Sequence, residues 1–134
     1  MSENSVQDHY AGDDTGSAMA SRILAAVRAV YGPDAAITPE ILAPLDHFNA
    51  RGLAATQALV ALLDPQAGES LLDIGSGIGG PARWIAVHYG CTVTGMDVTA
   101  AFCEAARVLN AACGVAEGTI RISGQQVKRE ESRI

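Results

Sequence analysis

The stretch that most constrains the fold is LLDIGSGIGG, residues 71–80, in which an apolar run ends in an acid and opens into glycines. A short apolar run of this kind, bounded by glycines, is typical of a buried strand. Gly75, Gly77 and Gly80 allow a tight turn and a close approach of the backbone to a ligand. Pro81 then favours a first helical turn, because its ring fixes φ and it has no N–H to leave unpaired. The stretch predicts a strand, a glycine loop and a helix, as in a nucleotide-type binding site.

The acid at the end of this strand distinguishes between two classes of ligand. Glycine loops of similar spacing bind the pyrophosphate of NAD or FAD, but Asp73 would repel that dianion. A carboxylate suits a ligand with a cationic amino-acid end, and S-adenosylmethionine carries both an ammonium and a sulfonium. Asp97 closes a second predicted strand, at a spacing suited to accept hydrogen bonds from both ribose hydroxyls. Asp97 therefore predicts a ribose, which both ligand classes contain.

Two longer segments carry a family resemblance. The segments LLDIGSGIGGPARWIA and GCTVTGMDVT resemble the first cofactor motif and the second strand of class I S-adenosylmethionine-dependent methyltransferases. The resemblance is contiguous from about residue 71 to residue 109. The upstream segment LDHFNARGLAATQALVALL is similar to type 11 methyltransferases and to the branch that includes sarcosine and dimethylglycine methyltransferases. Those relatives often carry a histidine after the Phe, where this chain has Asn49, so the role of that histidine does not carry over.

The resemblance implies a site for S-adenosylmethionine on the glycine loop and the end of the second strand. The resemblance assigns Asp73, Gly75 and Gly77 to the methionine end of the cofactor and Asp97 to its ribose. It places Met96 and Val98 beside the adenosine, and Ser76 and Gly79 complete the loop. No catalytic residue is assigned, since methyl transfer depends mainly on positioning and the exclusion of water. His47 could act as a base on an amine acceptor, but a lone loop histidine favours a solvated or structural role.

Composition limits the other classes of function. A chain of 134 residues suits one domain, and 49% hydrophobic with 18% charged residues is typical of a globular protein. The formal net charge of -6 argues against nucleic-acid binding, and no apolar run approaches the roughly 20 residues that cross a membrane. Cys91, Cys103 and Cys113 lack close pairing or a histidine cluster, which predicts reduced thiols and no metal site. The polar, acidic start is unlike a secretory signal and indicates a cytoplasmic protein.

The patterning divides the chain into four regions. We expect a flexible arm over 1–16, a helical region over 17–66, a Rossmann-like S-adenosylmethionine-binding half over 67–124 and a polar, non-native or disordered tail over 125–134. The fold class is α/β, a truncated Rossmann-like methyltransferase fold. The predicted helices are 17–31, 39–45, 51–63, 81–89 and 100–113, and the predicted strands are 70–74, 92–96 and 119–123. The buried stripe of the first helix is predicted to be Ile23, Leu24, Val27 and Val30.

The end of the chain departs from the family pattern. The segment GQQVKREESRI is polar and shows neither the helical nor the strand period of apolar residues. The resemblance predicts an acid near Gln125 or Gln126 and several further strands in its place. We therefore interpret the chain as the N-terminal cofactor-binding part of a longer enzyme that methylates a small molecule, with the kind of methylation and the oligomeric state left open. The alternatives are a non-catalytic truncated fragment and, disfavoured by Asp73, an NAD(P)-binding oxidoreductase fragment.

Overall fold

A computed structural model of the protein describes residues 15–47 and 51–124. The predicted arm up to residue 14 and the predicted tail from residue 125 lie outside the described residues. The elements are helices α1 (Gly16–Tyr31), α2 (Pro39–Asp46) and α3 (Leu53–Leu63), then β1 (Ser70–Ile74), α4 (Gly80–Tyr89), β2 (Thr92–Met96), α5 (Ala100–Ala112) and β3 (Ile120–Ser123). In this part of the chain, no helix combines the length and the hydropathy needed to cross a membrane.

The predicted elements are all present, with ends that differ by one or two residues. Helix α1 begins at Gly16, within the stretch predicted as a flexible arm, because the Thr15 side chain accepts a hydrogen bond from the Ala18 amide at 3.1 Å and caps the helix. Helix α3 begins at Leu53 and not at Arg51, because Gly52 lies outside the helical region with a φ of 55°. The remaining ends agree within the uncertainty of helix fraying.

The three strands form one parallel sheet in the order β1-β2-β3. In the register, Ile74 of β1 lies opposite Met96 of β2, and Met96 lies opposite Ser123 of β3. Helix α4 connects the first pair of strands and helix α5 connects the second, as parallel strands require a crossover. The carboxyl ends of all three strands therefore meet at one edge, where the glycine loop begins.

In the part of the chain that the structure describes, one face of the sheet is covered by helices and the other is open. Val93 and Ile120 on the covered face pack with Val60 of α3 and with an apolar side of α4, and all of these residues are buried. On the opposite face, Leu72 and Ile74 of β1 are 56% and 65% exposed. Within the described residues, β1 is also an edge strand with a partner on one side alone.

A second apolar cluster joins α1 and α2 to α5. Leu24 and Val27 of α1 are buried there with Leu42 and Leu109. Val30, predicted to belong to the buried stripe, is 76% exposed, because the packed part of α1 ends one turn earlier. These helices therefore form a layer beside the sheet, next to the glycine loop.

Candidate functional site

The glycine loop between β1 and α4 makes the predicted tight turn. Gly75 and Gly77 have positive φ values of 73° and 56°, which residues with a Cβ rarely adopt. The third glycine with a positive φ is Gly79, at 85°, and not the predicted Gly80, which is the first residue of α4. The amides of Gly75 and Ser76 donate to the Met96 carbonyl at 2.7 and 3.0 Å. A Cβ built on Gly75 meets no described atom within 4 Å. The loop thus turns over the end of β2 and leaves open space beside its first glycine.

Asp97 is tied to this loop from the end of β2. Its Oδ2 accepts a hydrogen bond from the Gly77 amide at 2.9 Å, and its Oδ1 accepts one from the Thr99 amide at 2.9 Å. The Asp97 amide donates to the Ser123 carbonyl at 3.1 Å. Because each carboxylate oxygen has further lone pairs, Asp97 can accept additional hydrogen bonds in this fixed position.

Asp73 provides a second carboxylate at the same edge of the sheet. It lies on β1 opposite Gly95 of β2 and is partly buried. Burial, followed by the negative charge of Asp97, raises the pKa of Asp73 above its ordinary value. A cation bound beside Asp73 would offset both effects, so the donor set fits a ligand with a positive end and hydroxyl groups.

The other predicted site residues occupy different surroundings. The hydroxyl of Ser76 is buried against β2, since a Cβ on Gly95 would lie 2.9 Å from Ser76 Oγ, and this oxygen has no hydrogen-bond partner in the described part of the chain. Gly79 faces the helices, because a Cβ there would lie 3.2 Å from Nη2 of Arg83. Met96 is partly buried, and Val98 is 45% exposed just beyond Asp97.

Sequence reasoning missed a buried ionic network below the loop. Arg83 of α4 is fully buried, and it donates from Nη1 to Asp46 Oδ2 at 2.8 Å and from Nε to Asn110 Oδ1 at 2.9 Å. Its Nη2 donates to the Ile78 carbonyl at 3.0 Å. Burial lowers the pKa of Arg83, and the charge of Asp46 opposes that effect. The sequence signal for this network was the single arginine in the apolar helical segment PARWIA. A charged side chain that is buried needs a partner, so this arginine could have predicted a buried ion pair.

His47 extends this network and is buried, as the structural alternative for this histidine predicts and the solvated alternative does not. Its Nδ1 lies 2.8 Å from Asp46 Oδ1, and its side chain is 1% exposed. Its Nε2 is also buried and has no hydrogen-bond partner among the described residues. The end of α2 is packed directly on the start of α4, since a Cβ on Gly80 would lie 2.3 Å from the Asp46 carbonyl oxygen.

A cavity of about 530 Å³ lies elsewhere, between α5 and β3. Its lining includes Arg107, Asn110 and Arg121 and none of the glycine-loop residues. The three cysteines are free thiols, as predicted. Within residues 15–47 and 51–124, no group of three His, Cys, Asp or Glu side chains is arranged to hold a metal ion.

Comparison with known sequences identifies the glycine-loop region. Residues 72–128 match the family model described as a methyltransferase domain, of type 11. Over 77 residues, the chain is 39% identical to methyltransferase GfsG of Streptomyces halstedii, a match that covers 58% of this chain and 25% of GfsG. The chain thus spans about a quarter of the length of this curated relative. Both matches support the predicted class I methyltransferase domain, whereas the sarcosine and dimethylglycine branch stays a prediction.

Comparison with solved structures identifies the fold. A geranyl diphosphate methyltransferase in complex with GPP and sinefungin is 28% identical, with a TM-score of 0.50 over 53% of this chain and 26% of that one. Haemonchus contortus phosphoethanolamine N-methyltransferase 2, in complex with S-adenosyl-L-methionine, is 24% identical, with a TM-score of 0.51 over 91% of this chain and 24% of that one. The Rossmann-like α/β fold predicted from the sequence is confirmed.

Proposed function

We propose that this chain is the cofactor-binding part of an S-adenosylmethionine-dependent methyltransferase that acts on a small-molecule acceptor. The observation that supports this most is the glycine loop held between two carboxylates, with the Gly77 amide donating to Asp97 at 2.9 Å and Asp73 at the same edge. A pyrophosphate on this loop would be repelled by Asp73, whereas a cation would be stabilised there. Asp97 can accept hydrogen bonds from a ribose, which both classes of ligand contain. The match of residues 72–128 to a methyltransferase domain supports the same ligand.

Asp73 and Gly75 are proposed to hold the methionine end of the cofactor. Burial and then the negative charge of Asp97 raise the pKa of Asp73, so a cation beside this carboxyl would offset both effects. The ammonium of the methionine end supplies such a charge, and the open space beside Gly75 allows a close approach. The residues present therefore fit this end of the molecule.

Asp97, Met96 and Val98 are proposed to hold the nucleoside. The Asp97 carboxylate is immobilised by two backbone amides, and its remaining lone pairs can accept the ribose hydroxyls. Met96 and Val98 on either side of it present apolar surface for the adenine. Bound S-adenosylmethionine supplies an activated methyl group. The role of these residues is to bind and orient it, since an in-line displacement gains most from positioning.

The small-molecule acceptor is inferred from relatives. The geranyl diphosphate methyltransferase is named for a small molecule, and the structure of that enzyme contains GPP. The upstream segment LDHFNARGLAATQALVALL resembles a branch that methylates small amines, which points to the same class of acceptor.

Calorimetric titration tests the cofactor assignment. The purified chain is titrated with S-adenosylmethionine, S-adenosylhomocysteine and NAD, and a heat-capacity scan establishes that it unfolds cooperatively. We expect saturable binding of the first two ligands and none of NAD. Binding of NAD, or a cooperatively folded chain that binds none of the three, would contradict the proposed function.

A further inference from the structure

We propose that the cavity between α5 and β3 is a second ligand site, which binds a small organic carboxylate through the side chains of Arg107 and Asn110. Its volume of about 530 Å³ lies within the range of pockets that bind small molecules. The residues of the glycine loop do not line it. The inference therefore goes beyond the proposed methyl transfer and does not depend on it.

Arg107 and Asn110 lie on the same side of α5. They are three residues apart on the helix, a spacing that places two side chains next to each other, and both line the cavity. Nη2 of Arg107 donates to the Ile122 carbonyl of β3 at 2.9 Å, which holds the guanidinium beside the strand. A guanidinium has five N–H donors, so most of them remain for a ligand.

Asn110 adds a polar donor that is almost completely buried. The residue is 6% exposed, and its Oδ1 accepts from Nε of Arg83 at 2.9 Å. Because a guanidinium only donates, this bond fixes the orientation of the amide and leaves both N–H donors of Nδ2. Nδ2 has no hydrogen-bond partner among the described residues, and it is not one of the fully enclosed unpaired atoms, which are His47 Nε2 and Ser76 Oγ. It therefore keeps surface that a ligand oxygen can reach.

The charges around the cavity favour an anion. The lining contains Arg107, Arg121 and one acid, Glu117, so it is positive in a chain with a formal net charge of -6. Glu104, the acid of α5, is already bonded to the Gly16 amide and to the Ser17 hydroxyl. A ligand anion thus finds cationic groups that the nearby acids do not neutralise completely.

The shape of the donors and the rest of the lining define the class of ligand. A planar guanidinium next to a planar amide presents N–H groups that match the two oxygens of a carboxylate. The wall of the sheet is apolar, because Ile120 is buried and Val115 and Ile122 pack against the same hydrophobic cluster. Within the described residues, β3 is an edge strand, which leaves this wall open at the side of the sheet. The lining fits a carboxylate attached to an apolar body.

Two probes separate the charged end of the ligand from its apolar body. 2-Naphthoate carries a carboxylate, and 2-naphthamide is a neutral molecule with the same rings. The ¹⁵N-labelled chain is titrated with each probe and followed by amide chemical shifts. We expect 2-naphthoate to cause saturable shifts at Val115, Gly118 and Ile122. The affinity for 2-naphthamide should be about tenfold lower or weaker still, since its amide makes no charge-assisted hydrogen bond.

Two substitutions test the proposed donors. Arg107→Met keeps an unbranched apolar stem and removes the charge, and Asn110→Asp keeps an acceptor for Arg83 but replaces the Nδ2 donor by an oxygen. Each should lower the affinity for 2-naphthoate by about tenfold or more. Arg28→Met and Gln57→Glu, at exposed positions outside the cavity, make the same changes of charge and are the matched controls. Thermal unfolding of each variant establishes that it is folded.

Three results would overturn the inference: no saturable binding of 2-naphthoate, equal affinities for the two probes, or an unchanged affinity in Arg107→Met. Shifts at the glycine loop or at Leu72 and Ile74 in place of the cavity residues would overturn it as well. Arg107 is exposed, so its variant decides the test even if Asn110→Asp fails to fold. Binding of S-adenosylmethionine is measured separately, so the failure of this inference and the failure of the proposed function are distinguishable.

Discussion

At Asp73, the burial that prepares a place for a cation also disfavours the folded protein without ligand. The pKa of Asp73 is raised in the folded state, first by burial and then by Asp97. A carboxyl whose folded pKa exceeds its unfolded pKa is destabilising once ionised, so the free energy of unfolding falls as the pH rises through the folded pKa. Stability and cofactor affinity therefore make opposite demands on this residue.

Asp73→Asn should consequently have opposite effects on stability and on binding. Without ligand at pH 7, we expect its unfolding temperature to rise by a few degrees, because a poorly solvated charge is removed. Calorimetric titration should show that binding of S-adenosylmethionine is lost. Glu117→Gln, an exposed carboxyl away from the loop, is the control and should change neither quantity. A lower unfolding temperature for Asp73→Asn would contradict the role of burial.

Asp97→Ala should lower both stability and binding. The amides of Gly77 and Thr99 lose the acceptor that they share, which we expect to lower the free energy of unfolding by about 1–2 kcal/mol. Denaturant unfolding measures the loss, and calorimetry should show no binding of S-adenosylmethionine. Asp34→Ala, an exposed turn residue, is the comparison. An unchanged denaturation midpoint in Asp97→Ala would mean that this carboxylate does not hold the loop.

At the scale of the elements, Arg83 joins α2, α4 and α5. Its guanidinium serves Asp46, Asn110 and the Ile78 carbonyl at once, and a lysine cannot reach all three. We expect Arg83→Lys to lower the free energy of unfolding by about 3 kcal/mol, because it leaves buried polar groups unpaired. Arg107→Lys, an exposed arginine bonded to the Ile122 carbonyl, should cost well under 1 kcal/mol. Equal losses in the two variants, measured by denaturant unfolding, would contradict this role.

The contact between α2 and α4 depends on the absence of a side chain at Gly80. An added Cβ would lie 2.3 Å from the Asp46 carbonyl oxygen, a distance that forces the helices apart. Gly80→Ala should lower the free energy of unfolding by about 1–3 kcal/mol, despite the higher helix propensity of alanine. Gly118→Ala, where a Cβ meets no described atom within 4 Å, is the control and should be nearly neutral. A stabilised Gly80→Ala variant would show that this contact is not close-packed.

At the scale of the whole molecule, the uncovered face of the sheet is the main liability. In residues 15–47 and 51–124, Leu72 and Ile74 expose apolar surface beside an edge of β1 that has no partner strand, which favours association with other chains. The double substitution Leu72→Thr, Ile74→Thr should reduce binding of a hydrophobic fluorescent dye and shift sedimentation toward the monomer. Val30→Thr, at an even more exposed site on α1, is the control. Unchanged dye binding and sedimentation in the double variant would show that this face is not exposed in solution.

The sequence by itself determined the order of the elements and the chemistry of the loop. Glycines at positions that require positive φ, an acid at the end of each of two strands and the family motif are local signals, so they can be read along the chain. The same signals predicted a methyltransferase domain, and the family match over residues 72–128 supports this prediction. The sequence did not predict the surroundings of residues whose neighbours come from distant parts of the chain.

Only the tertiary structure decided the surroundings of Val30, Ser76, His47 and Arg83. Helical spacing predicted that Val30 is buried. The neighbouring helices pack against α1 only up to one turn before Val30, so its side chain is exposed. Arg83 joins residues 37 and 27 positions away in sequence, and this pairing turns Asp46 and His47 into part of the loop's support. Burial and pairing of this kind depend on which segments meet in space, because desolvation and hydrogen bonding act over a few ångströms and carry no trace in local periodicity.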